Sequence, residues 1–97
     1  MLYRNIDSYL DYLLHERNFS SHTIRAYKKD LFEFDLFVSK NSKKDIKHIL
    51  KKDIHQYLYY LSVKNLNKTS IARKLASIKS FFNFLLKEGI IKNNFAK

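Results

Sequence analysis

The chain has 97 residues, 45% of them hydrophobic and 29% charged, with a net charge of +10, a single Gly, no Pro and no Cys. That length suits one domain with a real core and excludes two, and the missing Cys excludes disulfides and thiolate metal sites. No apolar run approaches the length that spans a bilayer, and Met1-Leu2-Tyr3-Arg4-Asn5 lacks the order of a secretory signal, so a soluble, cytoplasmic protein without a membrane partner is expected.

Apolar residues recur at helical spacing along nearly the whole chain. The first predicted helix covers about residues 3–17, with Leu2, Ile6, Tyr9, Leu10, Leu13 and Leu14 on one stripe. After the connector Asn18-Phe19-Ser20-Ser21, a second helix over about 21–39 carries Ile24, Tyr27, Leu31, Phe34 and Val38. A Lys-rich stretch from Ser39 to Leu50 forms the longest connector. The third helix covers about 52–64, with Ile54, Tyr57, Leu58 and Leu61 inward, and Asn65-Leu66-Asn67-Lys68 turns the chain. The fourth covers about 69–88, with Ile71, Leu75, Ile78, Phe82 and Leu85 as its stripe. Gly89 stands where a left-handed C′ residue ends a helix, and Ile90 supplies the accompanying apolar contact. The fold class expected is all-α, a compact four-helix bundle.

Charge is unevenly placed. Residues 1–19 hold Arg4 and Arg17 against Asp7, Asp11 and Glu16, whereas residues 67–97 hold seven Lys or Arg against Glu88 alone. Two helix starts combine hydroxyls with cations and no acid: Ser20-Ser21-His22-Thr23 followed by Arg25, Lys28 and Lys29, and Lys68-Thr69-Ser70 followed by Arg73 and Lys74. Free backbone N–H groups at a helix start, with cations on the next turns, suit phosphate anions. At about 100° per residue, His22, Arg25, Ala26 and Lys29 lie opposite the apolar stripe of their helix. On the fourth helix Arg73, Ser77 and Ser80 face outward by the same reckoning, with Lys74 on the border. A clamp on a nucleic-acid backbone follows from the pair. Against it stands a purely compositional origin of the charge. That origin would leave a four-helix protein-interaction module, and a third reading is a small stand-alone DNA-binding regulator.

Other motifs lead nowhere. The four His residues (15, 22, 48 and 55) include no H-x-x-x-H pair on one helix, so no metal is expected. There is no Gly-rich phosphate loop, Asp7 and Asp11 read as surface charges, and neither a catalytic constellation nor a cofactor is expected. The aromatics Tyr12, Phe32, Tyr59 and Phe84 fall off the stripes. They belong either to a helix buried on two sides or to a docking patch for a neighbouring domain or protomer.

The segments Leu13–Leu31 (LLHERNFSSHTIRAYKKDL) and Lys68–Leu85 (KTSIARKLASIKSFFNFL), with the closing Glu88-Gly89-Ile90-Ile91-Lys92-Asn93-Asn94, resemble the N-terminal region of tyrosine recombinases of the Xer and phage-integrase kind. The resemblance implies a SAM-like core-binding domain over residues 1–89 and the start of a linker over 90–97. It also implies a role as one half of a C-shaped clamp on double-stranded DNA, in a site-specific recombinase or integrase. By position, His22, Thr23, Arg25 and Lys29 would meet DNA from the second helix. Lys68, Thr69, Ser70, Arg73, Lys74 and Ser77 would do so from the fourth. The family's catalytic Arg, Lys, His and Tyr boxes are absent from this chain, which is therefore expected not to be an enzyme by itself. The implied partners are DNA, a catalytic domain of the same polypeptide and neighbouring recombinase protomers. Phe95 stands where the family usually has Pro. Lys51 stands where a Ser or Thr cap is usual, with Asp53 expected to cap instead.

Overall fold

The computed structural model describes residues 3–41 and 51–92. Leu2, Phe95 and most of the Lys-rich connector lie outside the described residues. Among those described, four α-helices follow one another: α1 (Tyr3–His15), α2 (Ser21–Asn41), α3 (Lys51–Val63) and α4 (Lys68–Lys87). The class is all-α, and each helix boundary lies within two residues of its expected place.

Short side chains set the starts of α2 and α4. Ser20 caps α2: its carbonyl accepts from the Ile24 N–H at 3.0 Å and its Oγ from the Thr23 N–H at 3.2 Å. Asn67 caps α4 with an extended backbone, its Oδ1 accepting from the Ser70 N–H at 2.8 Å. Each cap satisfies one of the donors that a helix start leaves without an intrahelical partner. The start of α3 borders residues outside those described, so its cap lies outside them too. Asp53 sits inside the first turn and is buried, where its charge still opposes the positive end of the helix.

The ends use left-handed residues. Asn18 (φ 52°) follows α1, Asn65 (φ 60°) follows α3 and Gly89 (φ 76°) follows α4. At Gly89 the turn is a Schellman motif, with the Gly89 N–H donating to Leu86 O at 3.1 Å and the Ile90 N–H to Leu85 O at 2.9 Å. A Cβ on Gly89 would meet nothing within 4 Å, so the backbone angle, not crowding, asks for glycine here. Ile90 and Ile91 then pack on the core, which carries the packed body two residues past Gly89.

Helices α2 and α4 touch one another and both of the others, whereas among the described residues α1 and α3 do not meet. The pair α2–α4 is thus a spine, with α1 and α3 on its flanks. The core is rich in rings: Tyr9 lies 5.3 Å from Phe81 and 5.4 Å from Phe84, and Phe34 lies 5.2 Å from Tyr57. These separations are those of tilted and edge-on aromatic pairs. A spine helix is covered on several sides, which is why Phe81, Phe82, Phe84 and Leu85 are all buried within five residues. Phe84 therefore belongs to the core, while Tyr59 on a flanking helix is 73% exposed. Leu14 departs from its expected stripe and is exposed, since its neighbour Leu13, about 100° away, takes the inward position.

Candidate nucleic-acid interface

At the start of α2, His22, Arg25 and Lys29 are exposed and Thr23 is half-buried. The Thr23 hydroxyl lies 3.0 Å from Ser20 Oγ, so it shares in the cap. At the start of α4, Lys68 and Thr69 are exposed and Ser70 is half-buried. The two starts belong to the two spine helices, and an ionic cluster further along joins those helices.

The centre of that cluster is Asp30, whose side chain is fully buried. Arg73 donates to it through two nitrogens, Nε to Oδ2 at 3.1 Å and Nη2 to Oδ1 at 3.0 Å. Lys74 Nζ donates to Asp30 Oδ1 at 3.1 Å and also to Glu33 Oε1. Arg73 keeps 47% of its side chain exposed, against 7% for Lys74. Burial alone would lower the Lys74 pKa, but the hydrogen bonds to Glu33 and Asp30 outweigh it and hold the ammonium above its ordinary value. The bonds to Asp30 likewise raise Arg73.

Two expected contact residues are corrected here. Lys74, read as bordering the outer face, points towards α2, where two carboxylates enclose it. Ser77, read as facing outward, is fully buried, and its Oγ donates back to the Lys74 carbonyl at 2.8 Å. Both errors have one cause: the outward arc was drawn for a helix with one covered side, and α4 has more than one.

Lys29, Ser70 and Arg73 line one cleft of about 640 Å³ between the spine helices and α3. Its inner wall includes Tyr57, whose buried hydroxyl has no hydrogen-bond partner among the described residues. Burial pushes the Tyr57 hydroxyl pKa up, and the nearby Glu33 and Asp30 carboxylates push it further. A second cleft of about 540 Å³ lies along the outer side of α4, bordered by Arg17, Lys79 and Lys87 with no carboxylate in its lining. Sequence reasoning had not assigned these three cations to the site. Lys79 and Lys87 were visible as part of the basic segment, but Arg17 sits in the net-acidic one and only the fold brings it to α4. Among the described residues no group of His, Cys, Asp or Glu could hold a metal, and no helix is long and apolar enough to cross a membrane.

A family model described as the phage integrase N-terminal SAM-like domain matches residues 6–89. Among curated proteins, a tyrosine recombinase XerC of Listeria innocua is 40% identical over 86 residues, covering 89% of this chain and 29% of that protein. The XerC of Lacticaseibacillus casei is 38% identical over 90 residues, covering 92% of this chain and 30% of its own length. That of Anoxybacillus flavithermus is 35% identical over 89 residues, with the same coverage. The chain thus spans under a third of the length of the curated relatives it matches. No solved structure gives a significant match. With the match running almost from end to end of an all-α bundle, the chain belongs to the phage-integrase N-terminal SAM-like domain family.

Proposed function

We propose that this domain grips the backbone of double-stranded DNA as the N-terminal part of a cytoplasmic site-specific tyrosine recombinase. Strand cleavage would be the task of another region of the polypeptide. The observation that carries the reading is that α2 and α4, each opening on a capped start, are tied together by the Asp30 ion pairs and carry Arg25, Lys29, Lys68 and Arg73 at the surface. The hydroxyls of Thr23, Thr69 and Ser70 would add polar contacts, and His22 a further donor. Lys74 and Ser77 drop out of the contact set, because one is enclosed by carboxylates and the other is buried. The exposed Tyr59 and Val63 on α3 favour a protein contact there, with a neighbouring protomer or a catalytic domain as the proposed occupant.

A module of this size would bury roughly 600–1,000 Å² on DNA. Without sequence-specific help it would bind with Kd on the order of 10⁻⁴–10⁻⁶ M. The test is fluorescence anisotropy of the chain with a labelled duplex across a salt series, for the wild type and Lys29→Ala. A linear fall of log K with log salt is expected, shallower by about one in the variant. A response without salt dependence, or no binding at low salt by a folded protein, would reject the reading.

A further inference from the structure

We propose that Asp30 is a positioning residue for DNA binding: its buried carboxylate holds Arg73 so that the free edge of the guanidinium meets a phosphate in the cleft shared with Lys29 and Ser70. The inference rests on the DNA-binding reading above and names a working part of it.

The geometry has three components. First, Asp30 engages Nε and Nη2 of Arg73, two of the five donor hydrogens' worth of guanidinium edge, while nearly half of the side chain stays exposed. The remaining donors form a second planar edge of the kind that suits a phosphate. Second, Asp30 is itself held, its side chain buried against α4 and bonded to Lys74. An arginine with its fork already fixed gives up less rotamer freedom on binding than one waving in solvent. Third, the buried Lys74 sits against the same carboxylate oxygen that Arg73 Nη2 uses. Its charge, shared between Asp30 and Glu33, offsets part of theirs, so the cluster of two cations and two carboxylates sums to zero and the orienting carboxylate does not leave a net negative site beside Arg73. Lys74 thereby takes a role in DNA binding without reaching DNA.

Charge counting and positioning predict opposite signs for one substitution. Asp30→Asn removes a negative charge from a basic protein, which by electrostatics alone strengthens binding to a polyanion. Positioning predicts weaker binding, by about tenfold, with a salt slope shallower by about one, as in Arg73→Ala. The double variant should bind no more weakly than either single one. Tighter or unchanged binding by a folded Asp30→Asn, beside a weakened Arg73→Ala, would overturn the proposal and leave the DNA-binding reading intact. A wild-type chain that ignores DNA would instead reject both. Should Asp30→Asn fail to fold, Arg73→Lys decides, since it changes a half-exposed side chain and keeps the charge while losing the fork. It should bind as weakly as Arg73→Ala, and wild-type affinity in Arg73→Lys would overturn the proposal.

Discussion

Towards α2, helix α4 is held near its start by directional charge: Arg73 and Lys74 on Asp30, with Glu33 beside them. Towards α1 it is held by rings, Phe81 and Phe84 on Tyr9 and Phe84 on Tyr12, with one hydroxyl pair, Tyr9 OH and Ser80 Oγ at 2.6 Å. The apolar seam supplies free energy in proportion to the area covered and asks little of orientation. The ionic seam contributes less net stability, because desolvating the charges offsets much of their attraction. What it does supply is a fixed direction for one guanidinium. Aim is therefore carried by the ionic contact with α2, and stability chiefly by the ring contacts with α1 and, through Phe34 and Phe82, with α2.

The largest test of that division is Phe81→Ala. Phe81 is fully buried, and its truncation should cost about 3–5 kcal/mol, read from urea unfolding. The salt slope of whatever folded protein remains should be unaltered. A change in slope would show that the ring seam also sets the aim of Arg73.

Alkaline titration separates the seams more finely. Burial, partly offset by the Ser80 hydrogen bond, pushes the Tyr9 hydroxyl from 10.0 to about 12 in the fold. Its folded value lies above its unfolded one, so its contribution to stability is full below pH 10.0 and is lost as pH rises towards about 12. Lys74 is raised as well, so its contribution is full below its ordinary value of 10.5 and fades as pH climbs from there through the higher folded value. Tyr9→Phe should lose about 0.5–1.5 kcal/mol at neutral pH with the Ser80 bond. Its stability should then fall less steeply than that of the wild type between about pH 10 and 12. An unchanged alkaline profile would remove Tyr9 from the account.

The smallest effect is expected at Ser77. Among the described residues its hydroxyl donates to a local carbonyl three residues back, so Ser77→Ala should change stability by about 1 kcal/mol or less and DNA affinity not at all. Loss of DNA binding in Ser77→Ala would return this residue to the interface.

The helices were legible because their determinants are local: apolar spacing, polar connectors before α2 and α4, and Gly89 at an end. The exposed half of the candidate site, Arg25, Lys29, Lys68 and Thr69, was legible for the same reason. Asp30 and Lys74 were not, because they stand 44 residues apart and become partners only when α2 and α4 pack. A helical wheel treats each helix as having one covered side, so it cannot separate the buried Phe84 and Ser77 from the exposed Tyr59 and Leu14. That distinction depends on how many neighbours a helix has, which only the assembled bundle decides.

Because among the described residues α1 and α3 do not touch, each is a separate leaf bound to one spine. Local opening of either leaf uncovers its own seam without requiring the other to move. Fluctuations at α3, where Tyr59 and Val63 already meet water, need not reach the α1 seam. The Asp30 ion pairs that join α2 to α4 can thus persist while α1 opens, whereas opening of α3 would take away one wall of the cleft lined by Lys29, Ser70 and Arg73.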